Sequence, residues 1–120
     1  MRYNQKGSSL YITVVETASF ASAAKSCMTD SERMAAINMI AENPECGDVI
    51  VGGGGIRKVR FATGSVGKRG GVRIIYYFHN EQVPVFVLTV FAKNERANLT
   101  RDELNQLAKA AKMLAMKYGE

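Results

Sequence analysis

The chain has 120 residues, 47% of them apolar and 22% charged, with a net charge of +5. That length suits one domain, residues 1–120, with a single modest core, and the composition excludes wholesale disorder. No stretch could span a bilayer, and the opening MRYNQKGSSLYITVVE lacks an apolar run of the length export needs, so a cytoplasmic location with reduced thiols is expected.

Residues 1–9 are polar and without period, a loosely ordered lead-in. LYITVVE (10–16) is β-branched and aromatic and reads as a strand. ASFASAAKSCM follows with Phe20, Ala23, Ala24, Cys27 and Met28 at helical spacing. A second helix opens on Thr29, three residues before Glu32, the spacing of a capping box; Met34, Ile37, Ile40 and Ala41 form its apolar stripe, and Asn43-Pro44 ends it. ECGDVIVGGGG reads as a breaker-rich connection, with the Gly52–Gly55 run a flexible lead into the next strand.

Three strands then follow at short intervals: IRKVRFA (56–62), GVRIIYYF (71–78) and VPVFVLTVF (83–91). The short links predict an antiparallel meander, and the last strand, apolar on both faces, should be covered on both sides. The final helix has its own capping box at Thr100 and Glu103, with Leu99 and Leu104 as hydrophobic staple. Its buried stripe is Leu104, Leu107, Ala111, Leu114 and Tyr118, while Lys109, Lys112 and Lys117 lie off it. The expected order is β-α-α-β-β-β-α, an α+β domain whose helices pack on a small, mainly antiparallel sheet.

Charge is concentrated in one segment. No acidic residue occurs between Asp48 and Glu81, while Arg57, Lys58, Arg60, Lys68, Arg69 and Arg73 all fall there. Alternation assigns Arg57, Val59 and Phe61 to one strand face and Lys58 and Arg60 to the other. In the next strand Val72, Ile74, Tyr76 and Phe78 form the core face, leaving Arg73, Ile75 and Tyr77 opposite. Lys58, Arg60 and Arg73 should therefore converge on one side of the sheet, with Tyr77 beside them and Lys68 and Arg69 at the hairpin tip. Such a cluster is either a polyanion-binding surface or a solvated face whose arginine stems cover apolar surface.

Other motifs carry no chemistry. A phosphate-binding loop would need glycine at Ala62 and Ser or Thr after Lys68, where Arg69 stands. Cys27 and Cys46 lack metal-ligand spacing and only His79 could join them, so neither a metal nor any other cofactor is expected. Cys27 reads as a small core residue, His79 as a strand-end residue, and the asparagine of Asn98-Leu99-Thr100 as a sequon without meaning in the cytoplasm.

NPECGDVIVGGGGIRKVRFA, GKRGGVRIIYYF and LTVFAKNERANLTRDELNQL, in that order and spacing, resemble the HigB-like branch of the RelE/ParE superfamily of bacterial toxins. The resemblance covers nearly everything from Leu10 to the final helix. It implies a toxin of a type II toxin-antitoxin system that enters the ribosomal A site and cuts mRNA by metal-independent attack of a 2′-hydroxyl on the adjacent phosphate. It also implies an antitoxin partner, HigA-like with a helix-turn-helix domain.

Carried over by position, Lys58 and Arg60 fall on the family's basic catalytic strand and Arg73 on its phosphate-binding arginine. Two positions depart from the pattern: Asn94 stands where a further catalytic arginine is expected and Thr100 where a tyrosine is. Lys93, then Tyr77, then His79 are the candidate proton donors. The expected assignment makes Lys58 the base, with Arg60 and Arg73 favouring its uncharged form. Arg60, Arg73 and Lys93 stabilise the transition state, and Arg57, Lys68, Arg69 and Tyr77 hold RNA. The same fold could instead carry a ParE-like gyrase inhibitor without nuclease chemistry, or a basic module that only binds RNA.

Overall fold

A computed structural model of the protein describes residues 11–64 and 71–119; the expected lead-in and the hairpin residues Lys68 and Arg69 lie outside them. The elements are β1 (Val14–Glu16), α1 (Ala18–Ala24), α2 (Asp30–Glu42), β2 (Asp48–Val49), β3 (Ile56–Phe61), β4 (Val72–Tyr77), β5 (Val85–Ala92) and α3 (Arg101–Gly119). The sheet order is β1-β5-β4-β3-β2. β3, β4 and β5 form the expected antiparallel meander, and β1 lies parallel to β5. The fold is α+β.

One element departs from the sequence reading. The segment read as a connection contains β2, which pairs antiparallel with β3 and closes on it through Ile50 N–H to Ile56 O at 2.9 Å. The glycine run is thus a tight turn and not a loose lead. Gly55, at φ 102°, shows why glycine is needed, since a Cβ there would come 2.9 Å from the Tyr77 ring.

The two faces of the sheet are buried by different helices. Phe20, Ala24, Ala36 and Ile40 of the first two helices pack on Val72, Ile74, Tyr76, Val85 and Val87. Leu104, Ala111 and Ala115 of α3 pack on Ile56, Ile75, Phe86, Leu88 and Phe91. β5 is covered on both sides, as its sequence implies. A bulge where Ile75 faces Thr89 and Tyr76 faces Val87 shifts the phase of β5. Because of that extra residue, Phe91 joins Leu88 on the α3 side while Val90 and Ala92 point to the other core.

The helix starts follow their capping residues. Thr29 and Glu32 exchange side-chain and backbone bonds at 2.9 and 3.1 Å, and Thr100 and Glu103 do so at 2.8 and 3.1 Å. Leu99 and Leu104 meet in the second core as the staple requires. Two stripe positions are corrected. Met34 is exposed, because the inward face of α2 centres on Ala36 and Ile40 and a residue two places earlier points roughly opposite. Tyr118, near the end of α3, meets Phe86 edge to face with ring centroids 5.3 Å apart and is largely exposed.

Tyr76 is fully buried, yet its hydroxyl is satisfied twice: it accepts from Gly47 N–H at 2.8 Å and donates to Pro44 O at 2.7 Å. Burial pushes the phenol far above its ordinary pKa, so it keeps the proton that the Pro44 bond needs. The chain between α2 and β2 is therefore pinned to the centre of the sheet. Gly47 permits the approach, since a Cβ there would lie 2.9 Å from both the Tyr76 ring and Lys58 O. Tyr76→Phe leaves the buried Gly47 donor and the half-buried Pro44 acceptor without this partner. It is expected to cost about 1–3 kcal/mol, seen as a lower urea midpoint at unchanged slope.

Candidate active site

β3 and β4 pair with Lys58 opposite Ile75, Arg60 opposite Arg73, and Ile56 opposite Tyr77. Directly opposed residues share a face, so Lys58, Arg60 and Arg73 all project to the α3 side. Arg60 is exposed, and Lys58 and Arg73 are half-buried. Lys58 stands diagonally from Arg73, about 7–8 Å away by Cα. Burial, and after it the Arg60 charge, lower the pKa of the Arg73 guanidinium from its ordinary value.

Two more residues enter the surroundings of Lys58. Asp48 on β2 is its register partner on the same face. Asn98, in the loop between β5 and α3, accepts from Lys58 Nζ at 3.3 Å. Lys58 and Asn98 stand over a cavity of about 260 Å³ whose other walls are Ile50, Ile75, Phe91, Leu99 and Leu104. Neither partner was named from the sequence. β2 lies in a stretch whose sequence reads as a breaker-rich connection, and the Asn98 contact spans 40 residues with no local signal.

The Asn98 loop is held by Arg96. Its guanidinium lies 5.1 Å from the Phe91 ring centre, donates to Asn98 O at 3.0 and 3.3 Å, and pairs with the Glu103 carboxylate. That pairing, followed by the Thr100 N–H, holds the Glu103 pKa down at about 2. Thr100 has its hydroxyl and N–H engaged in the same helix start.

Lys93 lies one residue beyond β5, and its backbone N–H donates to Gly71 O at 3.0 Å. That puts it at the Arg60–Arg73 end of the sheet. The other predicted donors stand elsewhere. Tyr77 is four residues along β4 from Arg73, about 13 Å away. It is buried under Gly55, with its hydroxyl 3.4 Å from His79 Nδ1. His79 is exposed beyond that far end of β4. Two residues expected to hold RNA, Tyr77 and Arg57, thus stand apart from the cluster. The Tyr77 ring lies in the α3-side core. Arg57 lies on the opposite sheet face, facing Tyr76, where its guanidinium donates to Gly47 O at 2.7 Å and Glu45 O at 3.4 Å. Lys68 and Arg69 fall outside the described residues.

Among the described residues no group of three or more His, Cys, Asp or Glu gathers as a metal site, and no helix is long and apolar enough to cross a membrane. Cys27 is buried in the first core, and burial raises its thiol pKa.

Compared with known proteins, residues 12–119 match the family described as the RelE toxin of the RelE / RelB toxin-antitoxin system. The chain is also similar to a mutant form of the E. coli toxin RelE in the free state, at 17% identity and a TM-score of 0.48, over 90% of this chain and 97% of that one. The family match takes in almost the whole length, and the protein belongs to the RelE family of toxins of toxin-antitoxin systems.

The Arg96–Glu103 clamp has a definite pH signature. Because the folded pKa of Glu103 lies below its ordinary 4.5, its stabilisation is complete above that value and is lost as pH falls toward about 2. Glu103→Gln should lower the urea midpoint near neutrality. The difference from the parent should shrink on acidification through that window and vanish near its lower end.

Proposed function

We propose that this toxin is a ribosome-dependent endoribonuclease of the HigB-like branch. It cuts mRNA in the ribosomal A site in the cytoplasm and is neutralised by a HigA-like antitoxin carrying a helix-turn-helix domain. The observation that carries this reading is the gathering of Lys58, Arg60 and Arg73 on one face of a single strand pair, with Lys93 at the same end. Metal-free RNA cleavage needs a base for the 2′-hydroxyl, cations for the charge that builds on phosphorus, and an acid for the leaving oxygen.

In the proposed reaction Lys58 takes the 2′-hydroxyl proton as the oxygen attacks the adjacent phosphorus. Arg60 and Arg73 hold the non-bridging oxygens of the resulting phosphorane. The bond from phosphorus to the 5′-oxygen then breaks, and the Lys93 ammonium gives that oxygen its proton. The products are a 2′,3′-cyclic phosphate and a 5′-hydroxyl, with no outside co-reactant. Lys93 is favoured as acid over Tyr77 and His79 because it lies at the arginine end of the sheet. Lys68 and Arg69, from their place in the sequence between β3 and β4, are assigned to the RNA backbone.

The test is a cell-free translation reaction in which mRNA 5′ ends are mapped. In-frame cuts are expected only when ribosomes are present. Lys58→Ala and Arg73→Ala should each reduce cutting by roughly 10²-fold or more, with unfolding midpoints close to the parent's. Full cutting by both variants would remove the assignment. Intact message together with blocked DNA supercoiling would replace the nuclease with a gyrase inhibitor.

A further inference from the structure

We propose that Asn98 is a positioning residue for Lys58: its side-chain oxygen holds the Lys58 side-chain nitrogen beside the cavity, in reach of a ribose lying against Arg60 and Arg73. The inference rests on the nuclease reading and adds a residue to it. Lysine has four rotatable bonds and a compact head with no preferred direction, so a catalytic lysine has to be oriented by something outside itself. Asn98 Oδ1, at 3.3 Å from Lys58 Nζ, is the acceptor that reaches it from the α3 side of the sheet.

The loop that carries Asn98 is built to stay in place. Arg96 binds the Asn98 carbonyl through two nitrogens, lies on the face of Phe91, and is tied to Glu103 in the first turn of α3. Phe91 sits opposite Arg73 in the β4–β5 register. The strand that carries the phosphate-binding arginine and the loop that holds the base are therefore linked through one ring. Asn98 is itself exposed, so replacing it removes an acceptor without opening the core. Among the described residues, the charged groups on the strands that share the sheet face with Lys58 are Asp48 on β2, Arg60 on β3 and Arg73 on β4.

A carboxamide is suited to this task in a way a carboxylate is not. It accepts a hydrogen bond from the amine but adds no negative charge to hold a proton on it. This suggests two variants with different signatures. Asn98→Ala removes the acceptor and should lower kcat by about tenfold at every pH with KM changed less than twofold, the pattern of lost orientation. Asn98→Asp keeps an acceptor in place but adds a charge that favours protonated lysine. It should retain most of the rate at high pH while the ascending limb of the rate–pH profile moves to higher pH. A merely structural residue would not shift that limb.

The contact can also be read without turnover. The side-chain nitrogen resonance of Lys58, assigned by its disappearance in Lys58→Ala, should move in both Asn98 variants. An unmoved resonance, or an Asn98→Asp profile superimposed on the parent's, would overturn the positioning role even if Lys58→Ala abolishes cutting. Conversely, a moved resonance in a protein that cuts no RNA would leave the contact standing and remove the nuclease reading beneath it.

Discussion

Arg60 and Arg73 face each other across the β3–β4 ladder, and the proposed chemistry depends on the register that puts them there. Like charges directly opposed on a sheet cost up to about 1 kcal/mol, so the pairing needs support from elsewhere. The other face of the same two strands supplies it. Val59 opposes Ile74 and Phe61 opposes Val72, and beside them Tyr76 is buried completely. Each buried apolar side chain is worth roughly 1.5–3 kcal/mol, so the core face outweighs the repulsion several times over. A slip of one residue would turn Val72, Ile74 and Tyr76 away from the first two helices. The cations are held together because the hydrophobic residues between them cannot go anywhere else.

The second support lies at the edges of the strand pair. Tyr76 fastens the chain before β2, and β2 brings Asp48 beside Lys58. On the other side of the sheet, the start of α3 is held by its capping box and by Arg96 on Glu103. The loop so anchored delivers Asn98 to Lys58. A glycine where a Cβ would collide with a tyrosine and a threonine spent on a helix cap are thus ordinary folding devices with consequences for the site. The Thr100 hydroxyl is engaged by the Glu103 N–H in that cap.

The fold was largely legible because its signals are local. Capping boxes at Thr29 and Thr100, alternation in IRKVRFA and GVRIIYYF, and the doubly apolar VPVFVLTVF each state their own structure. The face shared by Lys58, Arg60 and Arg73 follows from the two-residue period of a strand and needs no tertiary knowledge. What could not be read depends on contacts distant in sequence. β2 exists because β3 offers it an edge, and its two residues have no pattern of their own. Tyr77 is buried in the α3-side core with Gly55 close against its ring, a contact distant in sequence that its own strand does not announce. Arg57 shows the reverse case. Alternation already put it across the sheet from Lys58, and its charge outweighed its position in the reading.

The arginine pair also bears on whether this surface merely binds anions or acts on them. A phosphate seated between Arg60 and Arg73 converts a repulsion into two attractions, so any phosphodiester or acidic side chain gains by lying there. The gain grows as negative charge accumulates on the phosphorane oxygens, and the strands, fixed by their opposite face, need not reorganise to meet it. Interactions that strengthen on the way to the transition state raise the rate as well as the affinity. An acidic antitoxin segment would collect the first of these gains but offers no phosphorus on which to realise the second. On the proposed reading, one rigid cationic pair would accept both the acidic segment of an antitoxin and the phosphate of an RNA, and only the second would draw chemistry from it.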